Sequence, residues 1–191
     1  MNRDQLNHAI RTASELTGKE AIIIIGSQAI LGSYDDSELP EPTTRSMEVD
    51  ALPIADSHDE IVMLADILEG VAGELSPYDD NHGFHIDGVD DTTAILPDRW
   101  RERLVPVCGP GTTNVVTGQV CTGWCLEPHD LCVAKLCAHR EKDLNFVRAL
   151  IEARLVDPGT IASRLSTVPE AHRQASLAGL VWLALWLNTD S

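Results

Sequence analysis

The sequence predicts an α/β (α+β) protein: a mixed sheet flanked by helices, followed by a helical C-terminal part. Three observations carry this expectation. Ala21-Ile22-Ile23-Ile24-Ile25 is a β-branched run ending abruptly at Gly26, which fits a central strand buried on both faces. Met47-Glu48-Val49-Asp50-Ala51-Leu52 alternates apolar and acidic residues, the pattern of a strand with one polar face. From Glu127 onward the apolar spacing is helical almost to the end.

Taken in order, Leu6, Ile10, Ala13 and Leu16 recur at helical spacing and Gly18 follows where a helix would stop. After the Ile run, residues 28–31 read as a short helix broken by Gly32-Ser33. Residues 34–44 hold acids, two prolines and no periodicity, and read as an exposed loop. The acidic strand ends before Pro53, and a helix over 59–70 carries Ile61, Leu64, Ala65 and Leu68 on its inner stripe. Residues 76–82 are rich in turn formers, and 84–89 make a short strand. Residues 104–107 and 114–120 offer two more strands. Leu131, Ala134, Lys135 and Ala138 then share one side of a helix ending near His139 or Arg140, and 143–152 forms the next. Asp157-Pro158 and residues 167–170 each start a further helix. With 191 residues and 43% hydrophobic composition, a single domain is expected over 1–191, with the mixed-sheet core in 1–125 and the helical part in 126–191.

Thirty Asp plus Glu against 14 Lys plus Arg give a formal net charge of -16. Such a field repels nucleic acid at long range, so an RNA substrate would need a local basic patch or a metal. The N-terminus, Met1-Asn2-Arg3-Asp4-Gln5, lacks the apolar core of a secretion signal, and the five cysteines are odd in number. A cytoplasmic protein with free thiols is expected. Cys121, Cys125, His129 and Cys132 match no standard zinc spacing and read as packed side chains. The apolar run 177–187 falls short of the ~20 residues that span a bilayer and reads as a buried helix, with Trp182 and Trp186 as core. His82, His85, His129 and His139 are scattered, and each reads as a core or surface residue.

The chemistry-bearing residues sit at two strand ends. Glu48 and Asp50, at i and i+2, share a strand face, and like charges that close repel unless a cation lies between them. Mg²⁺ resolves this, because it takes carboxylate oxygens and shares its shell with substrate phosphates. Gly26-Ser27 follows the buried strand: glycine allows close backbone approach, the hydroxyl donates to a phosphate oxygen, and the short helix offers N–H groups to an anion. The bland readings are the solvated face of an edge strand for the two acids and an N-cap for Ser27.

Ile25-Gly26-Ser27 followed by Glu48-Val49-Asp50-Ala51 resembles the nucleotidyltransferase superfamily that includes DNA polymerase beta, with residues 34–44 as an insertion. Leu126-Glu127-Pro128-His129-Asp130-Leu131, with Lys135-Leu136 and Arg140-Glu141-Lys142-Asp143, is similar to a helix of the AbiEii-like, MenT-like nucleotidyltransferase toxins. The resemblance covers roughly residues 20–155 and implies a nucleotidyltransferase-type fold. It implies catalytic roles for Glu48, Asp50, Lys135 and Asp143, and nucleotide binding by Gly26, Ser27, Ser46 and Lys135. Ser46 lies where some of these toxins carry a serine that is modified on inactivation. It implies Mg²⁺ held by Glu48, Asp50 and a third carboxylate, for which Asp87 is the acid inside a strand and Asp90 and Asp91 are close by. Lys135 would neutralise triphosphate charge, or else snorkel from an apolar helix face.

The activity so implied is transfer of a nucleoside monophosphate from a nucleoside triphosphate to an acceptor hydroxyl. The acceptor would be the tRNA 3′ end or a protein, and the protein the toxin of a toxin–antitoxin pair with a cognate antitoxin. Two alternatives stand beside it: a catalytically silent nucleotide- or partner-binding protein of the same fold, and transfer to a small cationic acceptor of aminoglycoside type, which the acidic surface suits. No membrane partner is expected.

Overall fold

The first helix shows how local sequence sets the boundaries of the fold. The structure is a computed structural model that describes residues 1–187; the last four residues of the expected helical part lie outside the described residues. α1 (Arg3–Thr17) begins at Asn2, whose side chain accepts the Gln5 N–H while the Gln5 side chain accepts the Asn2 N–H. It ends at Gly18 in the left-handed conformation, with φ 65°. Its inner stripe, Leu6, Ala9, Ile10 and Ala13, is buried against the sheet.

Five strands form one mixed sheet: β1 (Ala21–Ile24), β2 (Glu48–Pro53), β3 (His85–Gly88), β4 (Val105–Val107) and β5 (Thr122–Cys125). Their spatial order is β3-β2-β1-β5-β4. β1 lies at the centre, antiparallel to β2 and parallel to β5, which explains its unbroken Ile run. β2 runs parallel to β3, and β4 antiparallel to β5. The α/β class with a mixed sheet and flanking helices is as the sequence predicts.

α3 (His58–Ala72), capped by Ser57, packs on β2 and β3. The approach is close: a Cβ on Gly88 would lie 1.9 Å from the Ala65 carbonyl oxygen. Val49, Ala51 and Ile86 are fully buried on this side. Strand alternation therefore turns Glu48, Asp50, His85 and Asp87 to the opposite face. Beyond β5 come α5 (Pro128–Ala138), α6 (Glu141–Glu152), α7 (Pro158–Leu165) and α8 (Arg173–Leu187), with α5 packed against the other three. The carboxyl ends of β1 and β5 thus meet α5 at the site.

Four segments differ from the sequence reading. Residues 34–44 are not a free loop: α2 (Glu41–Thr44) forms there, Thr43 is buried, and the Tyr34 hydroxyl donates to the Leu155 carbonyl. Residues 76–82 contain α4 (Pro77–His82), because Ser76 accepts the Asp79 N–H and Pro77 takes the first helical position. Residues 114–120 are a turn rather than a strand. There Asn114 Oδ1 accepts the N–H groups of Val116 and Thr117, and a single bridge joins Thr113 to Val120. The run 177–187 is helical but not buried all round, with Val181 75% and Leu185 70% exposed. Among residues 1–187 no helix is long and apolar enough to cross a membrane.

Candidate functional site

Gly26 follows β1 and opens a 3-10 turn, Ser27–Gly32. This turn has six residues and is 3-10 rather than α-helical, so its macrodipole is small. What Gly26 supplies is space. A Cβ at that position would lie 1.5 Å from Oδ2 of Asp50, so the carboxylate occupies the place a side chain would need. The two halves of the motif, 24 positions apart, are in contact because β1 and β2 are paired neighbours.

Ser27 faces α5. The Lys135 Nζ donates to Ser27 Oγ at 2.8 Å and to Asp143 Oδ1 at 3.1 Å, and it stands 4.5 Å from the centre of the Phe146 ring. Arg140 Nε donates to the other Asp143 oxygen at 2.6 Å. Asp143 is 1% exposed; burial opposes its charge, but the Arg140 hydrogen bond and Lys135 outweigh burial and hold its pKa below the usual range. Lys135 is 8% exposed, and its ammonium is paired in the interior, so it does not snorkel to solvent.

Asp50 and Asp87 are opposite each other in the β2–β3 register, as are Glu48 and His85. Burial first, then repulsion from Glu48 and Asp87, pushes the Asp50 pKa up to about 6, with Lys135 opposing. Burial and Glu48 push Asp87 up to about 6 as well, His85 opposing. Asp87 Oδ1 is shielded from water and has no hydrogen-bond partner, His85 Nε2 standing 3.6 Å away. Crowded carboxylates with an unsatisfied oxygen, all hard donors, fit a divalent cation such as Mg²⁺. Asp90 instead closes its own turn onto Thr92 and Thr93, and Asp91 pairs with His58 at 2.9 Å.

A cavity of about 650 Å³ joins these groups. Gly26, Ser27, Ser46, Glu48, Asp50, Lys135 and Asp143 all line it, whereas Asp87 stands beside it on β3. Ser46 is held by its neighbours: its Oγ accepts the Glu48 N–H at 3.3 Å and its carbonyl accepts from Gln28 Nε2. Arg45, Arg140 and Lys142, three cations to which the sequence assigns no role, stand on the cavity wall with Phe146. Arg140 and Lys142 belong to the Arg140–Asp143 motif, the one local signal for them. No local signal marks His85, which the strand register brings to Glu48 and Asp87.

Among the described residues no cysteine belongs to a cluster of potential metal ligands. Cys121, Cys125, Cys132 and Cys137 are buried free thiols, and burial pushes Cys125 up to about 12. His129 bonds Glu127 and accepts the Asp157 N–H. His82 stacks edge-on with His8 and packs against Tyr78 and Phe84.

A family model described as "Nucleotidyltransferase of unknown function (DUF6036)" matches residues 4–173. No curated protein and no solved structure matches the chain.

Proposed function

The chain belongs to the DUF6036 family of nucleotidyltransferases, and from that premise we propose that it moves a nucleoside monophosphate from a nucleoside triphosphate to the 3′ end of tRNA. We place it with the AbiEii-like, MenT-like toxins, as the toxin of a toxin–antitoxin pair held silent by a cognate antitoxin. One observation carries the chemical reading. Ser27, Glu48, Asp50, Lys135 and Asp143, drawn from four separate elements, converge on one cavity with three further cations at its wall.

Glu48 and Asp50, with Asp87 beside them, are the residues that would hold Mg²⁺. Bound there, the cation supplies charge neutralisation at the transferring phosphoryl group and its attacking and leaving oxygens. The remaining work falls to side chains. Because Lys135 donates to Ser27 Oγ, the hydroxyl proton of Ser27 is left to point into the cavity, toward a phosphate oxygen. Asp143 holds the Lys135 side chain in place by accepting its hydrogen bond. Arg140 and Lys142, at the start of α6, give the triphosphate a positive wall. The acceptor hydroxyl gives up its proton to solvent water as its oxygen bonds to the α-phosphorus and the bond to the β-phosphate breaks, and pyrophosphate leaves.

A second reading, transfer to a small cationic acceptor, is favoured by the net charge of -16. The test incubates the protein with each labelled nucleoside triphosphate, Mg²⁺ and total tRNA, beside the Glu48→Ala, Asp50→Ala double variant. Label on tRNA with the native chain alone is the expected result. Label on an added aminoglycoside alone selects the second reading. Triphosphate binding with no label on any acceptor overturns both in favour of a silent binder.

A further inference from the structure

We propose that His85 joins Glu48 and Asp87 in a cation site at the edge of the cavity that takes a first-row transition-metal dication in preference to Mg²⁺. It does not rest on nucleotidyl transfer, since its readouts are metal binding alone.

The parallel pairing of β2 with β3 sets Glu48 opposite His85 and Asp50 opposite Asp87, so four potential ligands form a rectangle on one sheet face. The rectangle divides into two parts. Glu48 and Asp50 line the cavity, whereas His85 and Asp87 do not. Glu48, His85 and Asp87 each present a ligand atom within 4.8 Å of the other two.

Imidazole geometry is the second observation. His85 Nε2 is 3.6 Å from Asp87 Oδ1, and its Nδ1 is 3.7 Å from Asp79 Oδ1. Both separations exceed a hydrogen bond. Two ligands each about 2.1 Å from one metal stand roughly 3.0–3.4 Å apart, so Nε2 and Oδ1 are near the spacing of a shared ion. On the far side of the ring, Asp79 is anchored by the Leu75 N–H to its Oδ2 at 3.1 Å. A carboxylate facing the non-ligating nitrogen is the arrangement that orients a metal-bound histidine. Meanwhile Asp87 Oδ1 is shielded and lacks a hydrogen-bond donor.

Ligand chemistry sets the preference. Mg²⁺ favours oxygen donors and retains its waters. One imidazole nitrogen with two carboxylates suits Mn²⁺, Fe²⁺ or Zn²⁺ better. Glu48 and Asp87 are also carboxylates counted toward Mg²⁺, so a metal held here by His85 would fix the orientation of Glu48, which faces the cavity.

Mn²⁺ is the probe, added to the full chain without triphosphate in the presence of millimolar Mg²⁺. Electron spin-echo spectra are expected to show nitrogen-14 modulation from a coordinated imidazole, absent in His85→Asn. Asp79→Asn, which keeps every ligand, is expected to weaken Mn²⁺ binding by roughly 10- to 100-fold with an unchanged melting temperature. No nitrogen coupling in the native chain, or coupling that survives His85→Asn, overturns the proposal. If His85→Asn does not fold, the Asp79→Asn titration decides, and an affinity equal to that of the native chain sinks it.

Discussion

Gly26 and Asp50 share one volume, and that contact makes each sensitive to the other. A methyl group at position 26 would lie 1.5 Å from Oδ2 and 2.4 Å from Cγ of Asp50, so the carboxylate must move. Gly26→Ala is therefore expected to destabilise the fold by about 1–3 kcal/mol and to abolish Mg²⁺-dependent triphosphate binding, read by urea melts and calorimetric titration. Unchanged binding would show that the carboxylate's position against Gly26 is irrelevant. Asp50 itself is held at a cost to stability. Its folded pKa of about 6 lies above the ordinary 3.8, so the folded chain holds the extra proton between those values. Stability from this group is thus greatest below pH 3.8 and falls as pH rises through 6. Without metal, Asp50→Asn is expected to exceed the native chain by about 1–3 kcal/mol at pH 7.5, and the gap to close near pH 3.5. A variant less stable at pH 7.5 would mean that Lys135, not burial and repulsion, dominates the site.

At the scale of an element, α5 matters because it carries Lys135 to Ser27, and its N-terminus fixes where the helix stands. Glu127 caps it, with Oε2 accepting the N–H groups of His129 and Asp130. Burial opposes ionisation of Glu127, but His129 and Arg164 outweigh it and bring the pKa from 4.5 to about 2. A depressed carboxylate pKa stabilises above the unfolded value, and that contribution is lost as pH falls from 4.5 through 2. Glu127→Gln is expected to lose about 1–3 kcal/mol at pH 7 and to match the native chain near pH 2, by denaturant melts across that range. Equal stability at pH 7 would remove the cap from the account. The strands show what sequence makes legible. β1 and β2 were readable because burial on both faces and on one face leave different apolar periods. β5 was not: Thr122-Gly123-Trp124-Cys125 has no such pattern, whereas Val115-Val116 looks like a strand yet is 86% and 88% exposed. Pairing with β1 and β4 decides the matter, and pairing is not a local property. α4 carried a serine cap and a leading proline, but its acids and Asn81 equally suit a turn. Glu48, Asp50, Ser27 and Lys135 were legible as motif positions. The company of His85 with Glu48 was not, because it depends on the register between β2 and β3.

Across the whole molecule, the division at residue 125 is one of composition rather than of packing. One hydrophobic cluster runs from Leu6 through the sheet residues Ile22, Val49 and Cys125 to Leu131, Leu150 and Leu183. The central strand takes partners on both its edges from later in the chain, β2 well before the division and β5 at it. Leu126, Leu131 and Cys132, just beyond it, are fully or almost fully buried. The site crosses the same line, since Ser27 and Lys135 lie 108 positions apart and are hydrogen-bonded. We therefore propose a single domain whose halves do not fold separately. Loss of α5 would uncover the edge of the core beside β1 and β5 and leave Ser27 without its donor. Calorimetry is expected to give one transition whose measured and van't Hoff enthalpies agree. A fragment of residues 1–125 is expected to lack a cooperative melt. Two transitions, or a folded fragment with the native near-ultraviolet spectrum, would divide the chain into units. The Lys135–Ser27 bond would then join two domains across an interface, and triphosphate binding would depend on how they dock.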